Sequence, residues 1–315
     1  MSMENYSRYS LFPIKYPKLF EFYKTQRDCF WVPAEVDLEK DIKDWRNNLT
    51  DSDRKFLLHT LSFFAQADGI VLRNLNINFS FDVNIPEANL FFGIQAGIEA
   101  IHWEMYSLLI ETLIDNPKLK MSAFNAIENY PCIKEKAVWM ESWMNNENSI
   151  TERLIAFACA EGIFFSAAFA SIFYYKKKNL LPGMVLSNRF INRDEGLHRD
   201  FGCELFKVLR QEFPISNNKI NDIVKSAVEV ECKFVNESLN SDLIGIDAKR
   251  MCEYVKFIAD HLLTTLGLEK MYKTSNPFDW METISLESKQ NFFEGRVSEY
   301  KKLSGEKKFN LEEEF

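Results

Sequence analysis

The chain has 315 residues, 46% of them hydrophobic, with 28 Phe but only 11 Gly and 9 Pro, a composition that fills a large core and favours long helices over a strand-and-turn fold. A formal charge of −8 excludes the basic stripe that a nucleic-acid surface needs. The six cysteines are scattered with no C-x-x-C pair, so neither a zinc knuckle nor a disulfide framework is expected, and reduced thiols in the cytoplasm are the simpler reading. The first residues, MSMENYSRYS, lack the basic and apolar regions of a secretion signal.

In chain order, residues 1–30 read as an aromatic, irregular arm, and Asp37–Asn48 as a short helix. Thr50 is the predicted N-cap of a longer helix through TDSDRKFLLHTLSFFAQADGIVLRNL. Ile85-Pro86 opens a helix that ends near Asn116-Pro117. Further helices are predicted over Lys118–Asn145, Thr151–Lys177, Leu180–Phe213, Ser216–Leu239 and Asp247–Leu266. The stretch Leu154–Tyr175 is long enough to span a bilayer, but Glu161 near its middle would cost roughly 2.5–3.5 kcal/mol there. It is therefore expected to be the central helix of a bundle, with no membrane involved. No strand-alternating run of useful length is visible, so the fold class is all-α with a bundle over 31–285. Residues 286–315 are charged and almost without apolar periodicity, as a mobile tail would be.

Two of the four histidines, His102 and His198, follow a glutamate by three positions, in EAIH and EGLH. Residues three apart share a helix face, so each pair can offer one carboxylate and one imidazole to the same point. A lone acid lies inside each of two other apolar helices, Asp68 in FFAQADGIV and Glu161 in ACAEGIFF. A buried carboxylate is costly unless it is paired or binds metal. The order acid, E-x-x-H, acid, E-x-x-H on four helices is the di-iron or di-manganese pattern of ferritin-like bundles. Four carboxylates and two imidazoles suit iron or manganese. His59 and His261 lack the spacing and read as structural.

FINRDEGLHRDF, FACAEGIFFSAAFASIF, EAIHWEMYSLLI and NPFDWMETISLESKQNFFEGRVSEY together resemble the small, radical-generating subunit of class I ribonucleotide reductase, of the eukaryotic or poxviral type. The resemblance runs from about Leu11 to Tyr300. It implies a ferritin-like helical bundle, usually a homodimer, that works with a large subunit to reduce ribonucleotides. It further implies that Asp68, Glu99 and His102 bind one iron ion and Glu161, Glu195 and His198 the other. Tyr106 falls on the radical tyrosine, and Phe165, Phe169 and Ile191 on the apolar pocket around it. Trp31, Asp194 and His102 match a hydrogen-bonded relay for the radical, and Tyr300 matches the relay tyrosine toward the large subunit. The closing FNLEEEF resembles the acidic tail that docks on that subunit, with Phe309 and Phe315 as anchors. No P-loop or dinucleotide fingerprint is visible, so the nucleotide is expected to bind elsewhere.

The sequence also departs from the family pattern. Trp103 replaces the usual serine directly after His102, Leu72 and Arg73 replace Asn and Glu, and Ala167 and Ala168 stand on the helix of Glu161. None removes an expected ligand, but they bear on metal loading and radical yield. The alternatives are an accessory paralogue that pairs with a second small subunit as a heterodimer, or another ferritin-like di-metal oxidase.

Overall fold

The computed structural model describes residues 10–144, 147–239, 246–278 and 281. Tyr300, Phe309, Phe315 and the predicted 286–315 tail lie outside them. Residues Met1–Asp279 form one compact unit and Trp280–Phe315 a second.

The first unit is built from helices α1 Pro17–Asp28, α2 Glu39–Asn47, α3 Asp51–Asn74, α4 Ser80–Asp82, α5 Pro86–Leu113, α6 Pro117–Phe124, α7 Ala126–Asn129 and α8 Pro131–Ser142. It continues with α9 Ile150–Cys159, α10 Ser166–Lys177, α11 Pro182–Leu209, α12 Asn217–Ser238 and α13 Ala248–Thr265. Among the described residues there is no strand, as expected.

Helix starts are set by local chemistry that the sequence displays. Thr50 accepts from the Asp53 amide while the Asp53 carboxylate accepts from the Thr50 amide, a reciprocal cap. Ser149 with Glu152 repeats the motif ahead of α9, Ser216 and Asp247 cap α12 and α13, and prolines open α1, α5, α6, α8 and α11. α11 is capped from a distance instead. Its first amides, on Gly183 and Met184, donate to the buried Asp41 carboxylate of α2 at 2.8 and 2.7 Å. Glycine is needed at 183 because a Cβ would collide with the Asp37 carbonyl.

Three expectations are corrected. The irregular arm contains α1, which buries Leu19 and Gln26 on one face and packs Phe22 edge-on against Phe91 and Phe201. The single helix over Lys118–Asn145 is three, broken at Asn125, which leaves helical geometry, and at Tyr130-Pro131, where a proline nitrogen cannot continue the hydrogen-bond ladder. The helix over Thr151–Lys177 is interrupted by a π-helical segment, Ala160–Phe164, which carries Glu161. The run Ile150–Lys177 is long and apolar enough to cross a membrane, and its most apolar window is wholly buried inside the fold, as a core helix would be.

α3, α5, the α9–π–α10 run and α11 pack around one interior. That interior receives Asp68, Glu99, His102, Tyr106, Glu161, Asp194, Glu195 and His198, none more than 2% exposed.

Candidate metal centre

The six predicted ligands converge in the middle of the bundle. Glu99, Glu161, Glu195 and His198 each present a donor atom, all within 4.8 Å of one another. His198 Nδ1 lies 2.9 Å from Glu99 and 3.0 Å from Glu195, and His102 Nδ1 lies 3.0 Å from Glu195 and 3.3 Å from Glu99. Glu99 and Glu195 thus stand between the two imidazoles. Asp68 joins from α3, close enough that its charge is felt by Glu99, His102 and Glu195.

Electrostatics in this interior are severe. Burial, aggravated by Glu99, drives the Asp68 carboxyl well above its ordinary range, and burial with Glu195 and Glu99 does the same to Glu161. Burial would also raise Glu99, but the two imidazoles, His198 first, outweigh it and hold its carboxyl far below the usual value. His198 is disfavoured as a cation by burial, yet Glu99 and Glu195 push it up to about 9. Protons here balance the charge of clustered acids.

Both Asp68 oxygens and Glu161 Oε2 are buried without a hydrogen-bond partner, and Glu99 Oε2 and Glu195 Oε1 meet only His102 Nδ1. Orphaned polar atoms of this kind are rare in a native core and are satisfied by a cation placed among them. An all-carboxylate and imidazole donor set fits iron or manganese.

Around the cluster, Asp194 is a hub. Its Oδ2 accepts from Trp31 Nε1 at 2.8 Å and lies 3.3 Å from His102 Nε2. Its Oδ1 accepts from Gln26 Nε2 at 3.2 Å and from the Arg193 guanidinium at 2.9 Å. Burial alone would raise its pKa, but His102 and Arg193 hold it below the ordinary carboxylate range. An ionised Asp194 fixes the proton on His102 Nε2 and leaves Nδ1 facing Glu99 and Glu195. The Trp31 and His102 rings lie 6.1 Å apart and nearly parallel.

Tyr106, one turn beyond His102, is 1% exposed and its hydroxyl has no hydrogen-bond partner. Burial, with Asp68 next, keeps the phenol protonated well above its ordinary range. Its ring stacks on Phe64 with centroids 4.4 Å apart, and Phe64 in turn meets Phe165 at 5.6 Å and Phe169 at 5.2 Å. Ile191 is fully buried.

Sequence reasoning missed four contributors. Phe64, the ring on Tyr106, looked like one apolar residue among many in SFFAQAD. Gln95 donates to both Glu99 and Glu161 at 3.2 Å, and its place four residues before Glu99 was a usable signal. Arg193 adjoins Asp194 in sequence, whereas Gln26 sits in the supposed arm and gave no sign. His59 and His261 stay outside the cluster; His59 packs edge-on against Tyr130. Trp103 points outward, 45% exposed, over Gly69.

Comparison with known proteins supplies the family. The family model "Ribonucleotide reductase, small chain" matches residues 8–277. The ribonucleoside-diphosphate reductase small subunit of Dictyostelium discoideum is 50% identical over 299 residues, which cover 95% of this sequence and 88% of the Dictyostelium protein. The corresponding variola virus protein is 49% identical over 300 residues, covering 95% and 93%. Among solved structures, the ribonucleotide reductase Rnr4 homodimer of Saccharomyces cerevisiae matches with TM-score 0.80 at 37% identity, covering 95% of this sequence and 92% of the yeast one. With the ferritin-like bundle in common and about half the residues shared across nearly the whole length, the chain belongs to the ribonucleotide reductase small-chain family and is a ribonucleoside-diphosphate reductase small subunit.

Proposed function

We propose that Asp68, Glu99 and His102 hold one iron ion, that Glu161, Glu195 and His198 hold a second, and that Tyr106 stores a tyrosyl radical for ribonucleotide reduction. The observation that carries this reading is the cluster itself: four carboxylates and two imidazoles, almost fully buried, with orphaned oxygens and a phenol one helical turn away. When bound, the metal pair would supply the power, drawn from O₂, to oxidise that phenol. The donor set also accepts manganese.

The chain's own residues do the rest. Because the phenol is held neutral, its oxidation must take the proton with the electron. Phe64, Phe165, Phe169 and Ile191 form a dry wall that keeps water and reductants from an oxidised ring. Asp194 holds Trp31 and His102 on one carboxylate oxygen, a continuous hydrogen-bonded route from the site to α1's end of the bundle. Beyond it, Tyr300, Phe309 and Phe315 are assigned to relay and docking on the large subunit. We assign a homodimer, the state named for the yeast relative, and a cytoplasmic location.

An anaerobic Fe(II) titration tests the reading. The expected result is two ions per chain, followed after O₂ and addition of a large subunit by nucleotide reduction. Fewer than two ions would sink the ligand assignment. Two ions with no reduction would move the protein to an accessory role, paired with a second small subunit.

A further inference from the structure

Three residues after Glu161 the core helix changes its winding, from the π-helical Ala160–Phe164 back to α-helix at Ser166. A π turn spaces its hydrogen bonds one residue wider, so carbonyls and amides are left to find other partners where the winding reverts. Polar side chains attend this junction. Ser166 Oγ donates to the Ile163 carbonyl at 2.7 Å. Lys136 Nζ, from α8, donates to the Phe164 carbonyl at 2.7 Å and lies 2.7 Å from Glu231 Oε2 of α12, both side chains fully buried. The Ala167 amide is aimed at the same Glu231 carboxylate, short of hydrogen-bond geometry. An ion pair from two other helices therefore meets the Phe164 carbonyl at the junction.

The ammonium also sits 3.3 Å over the Phe63 ring and 4.1 Å from that of Phe234. Phe63 packs on Phe64 at 5.7 Å and Phe165 at 5.6 Å, the wall around Tyr106. Burial lowers Lys136 to about 8 and raises Glu231 to about 7, each opposed by the other's charge. Replacing such a pair by apolar residues is often neutral or stabilising, so stability alone does not account for its presence.

We propose that Lys136 and Glu231 are positioning residues: they fix the π-to-α junction, aim the Glu161 carboxylate into the metal centre, and brace the aromatic wall through Phe63. This rests on the reading of Glu161 as a ligand.

The test is the double variant Lys136→Met/Glu231→Leu, which removes both charges and keeps apolar volume. Mn(II) is titrated and followed by EPR, and amide hydrogen exchange over 160–168 is measured in the metal-free protein. Expected are a preserved melting transition, faster exchange confined to 160–168, and roughly 10–100-fold weaker binding of the second Mn(II) equivalent, the cost typical of losing a ligand's support. The coupled two-ion spectrum gives way to the six lines of a single ion. Glu231→Gln, which keeps an oxygen beside Lys136, retains most of the wild-type behaviour. Wild-type affinity, spectrum and exchange in the double variant would overturn the proposal. If the wild type itself binds no ion pair, the ligand reading fails, and the exchange comparison still decides the junction claim. Should the double variant not fold, Lys136→Met at pH 6, where Glu231 is neutral, carries the same exchange comparison.

Discussion

His102 and Trp103 are neighbours in sequence and occupy different worlds on α5. The imidazole is fully buried between Glu99, Glu195 and Asp194, while the indole is 45% exposed over Gly69 of α3. The same split runs along the helix, with Glu99 and Tyr106 inside and Glu104 in solvent. A helix turns about 100° per residue, so adjacency in sequence separates side chains as surely as three- or four-residue spacing unites them. Trp103, which as a sequence feature raises doubt about the site, stands on the outer face in a surface groove with Gln66, Arg73 and Ser107. Of the other departures, Arg73 is exposed and Leu72 half-buried, whereas Ala167 and Ala168 are buried on α10. Ala167 and Ala168 are thus the departures buried beside the π-to-α junction of the Glu161 helix.

The contrast can be broken most violently from inside. His102→Ala should abolish loading of the metal pair and with it any radical, as metal analysis and EPR would show; a fully loaded variant would contradict the assignment. Next in size is a pH effect. His198 is raised from 6.5 to about 9, so its contribution to the metal-free protein is complete below 6.5 and lost as pH rises through 9. A metal must displace that proton along with those that burial keeps on Asp68 and Glu161, so affinity should climb at least about tenfold per pH unit between those values. Isothermal titration at several pH values would reveal it; a flat profile would mean that metal does not displace the protons of this cluster.

How much of this was legible follows the same geometry. The helix starts were readable because Thr50, Ser216 and Asp247 act on amides three residues away. The candidate cluster was readable because an E-x-x-H pair is local. What escaped depends on contacts distant in the chain. Gln26 reaches Asp194 across 168 positions, Lys136 reaches the Phe164 carbonyl across 28, and Asp41 caps α11 across more than a hundred. The π-helical turn at Glu161 was equally hidden, since its residues read as ordinary apolar helix. Its winding is stabilised by partners that no local pattern announces.

Smaller perturbations sharpen the comparison. Trp31→Phe removes the indole donor to Asp194 but no ligand, so turnover with the large subunit should fall roughly 10–100-fold while radical content persists. Equal loss of both would remove Trp31 from the relay. Phe64→Ala, beneath the Tyr106 ring, should cost about 3–5 kcal/mol by chemical denaturation and shorten the radical's lifetime. Trp103→Ser, on the outer face, should change stability by less than about 1 kcal/mol and leave metal content untouched. A large loss of metal there would show that the two faces of α5 are coupled after all.

The central claim is that the inner face of α5 both holds metal and stores the radical. It is tested most directly by EPR of the wild type and of Tyr106→Phe after identical Fe(II) and O₂ treatment. The account predicts a tyrosyl signal in the wild type and none in the variant, with equal iron in both. A signal that survives in Tyr106→Phe, or iron-loaded wild type with no radical, would contradict it.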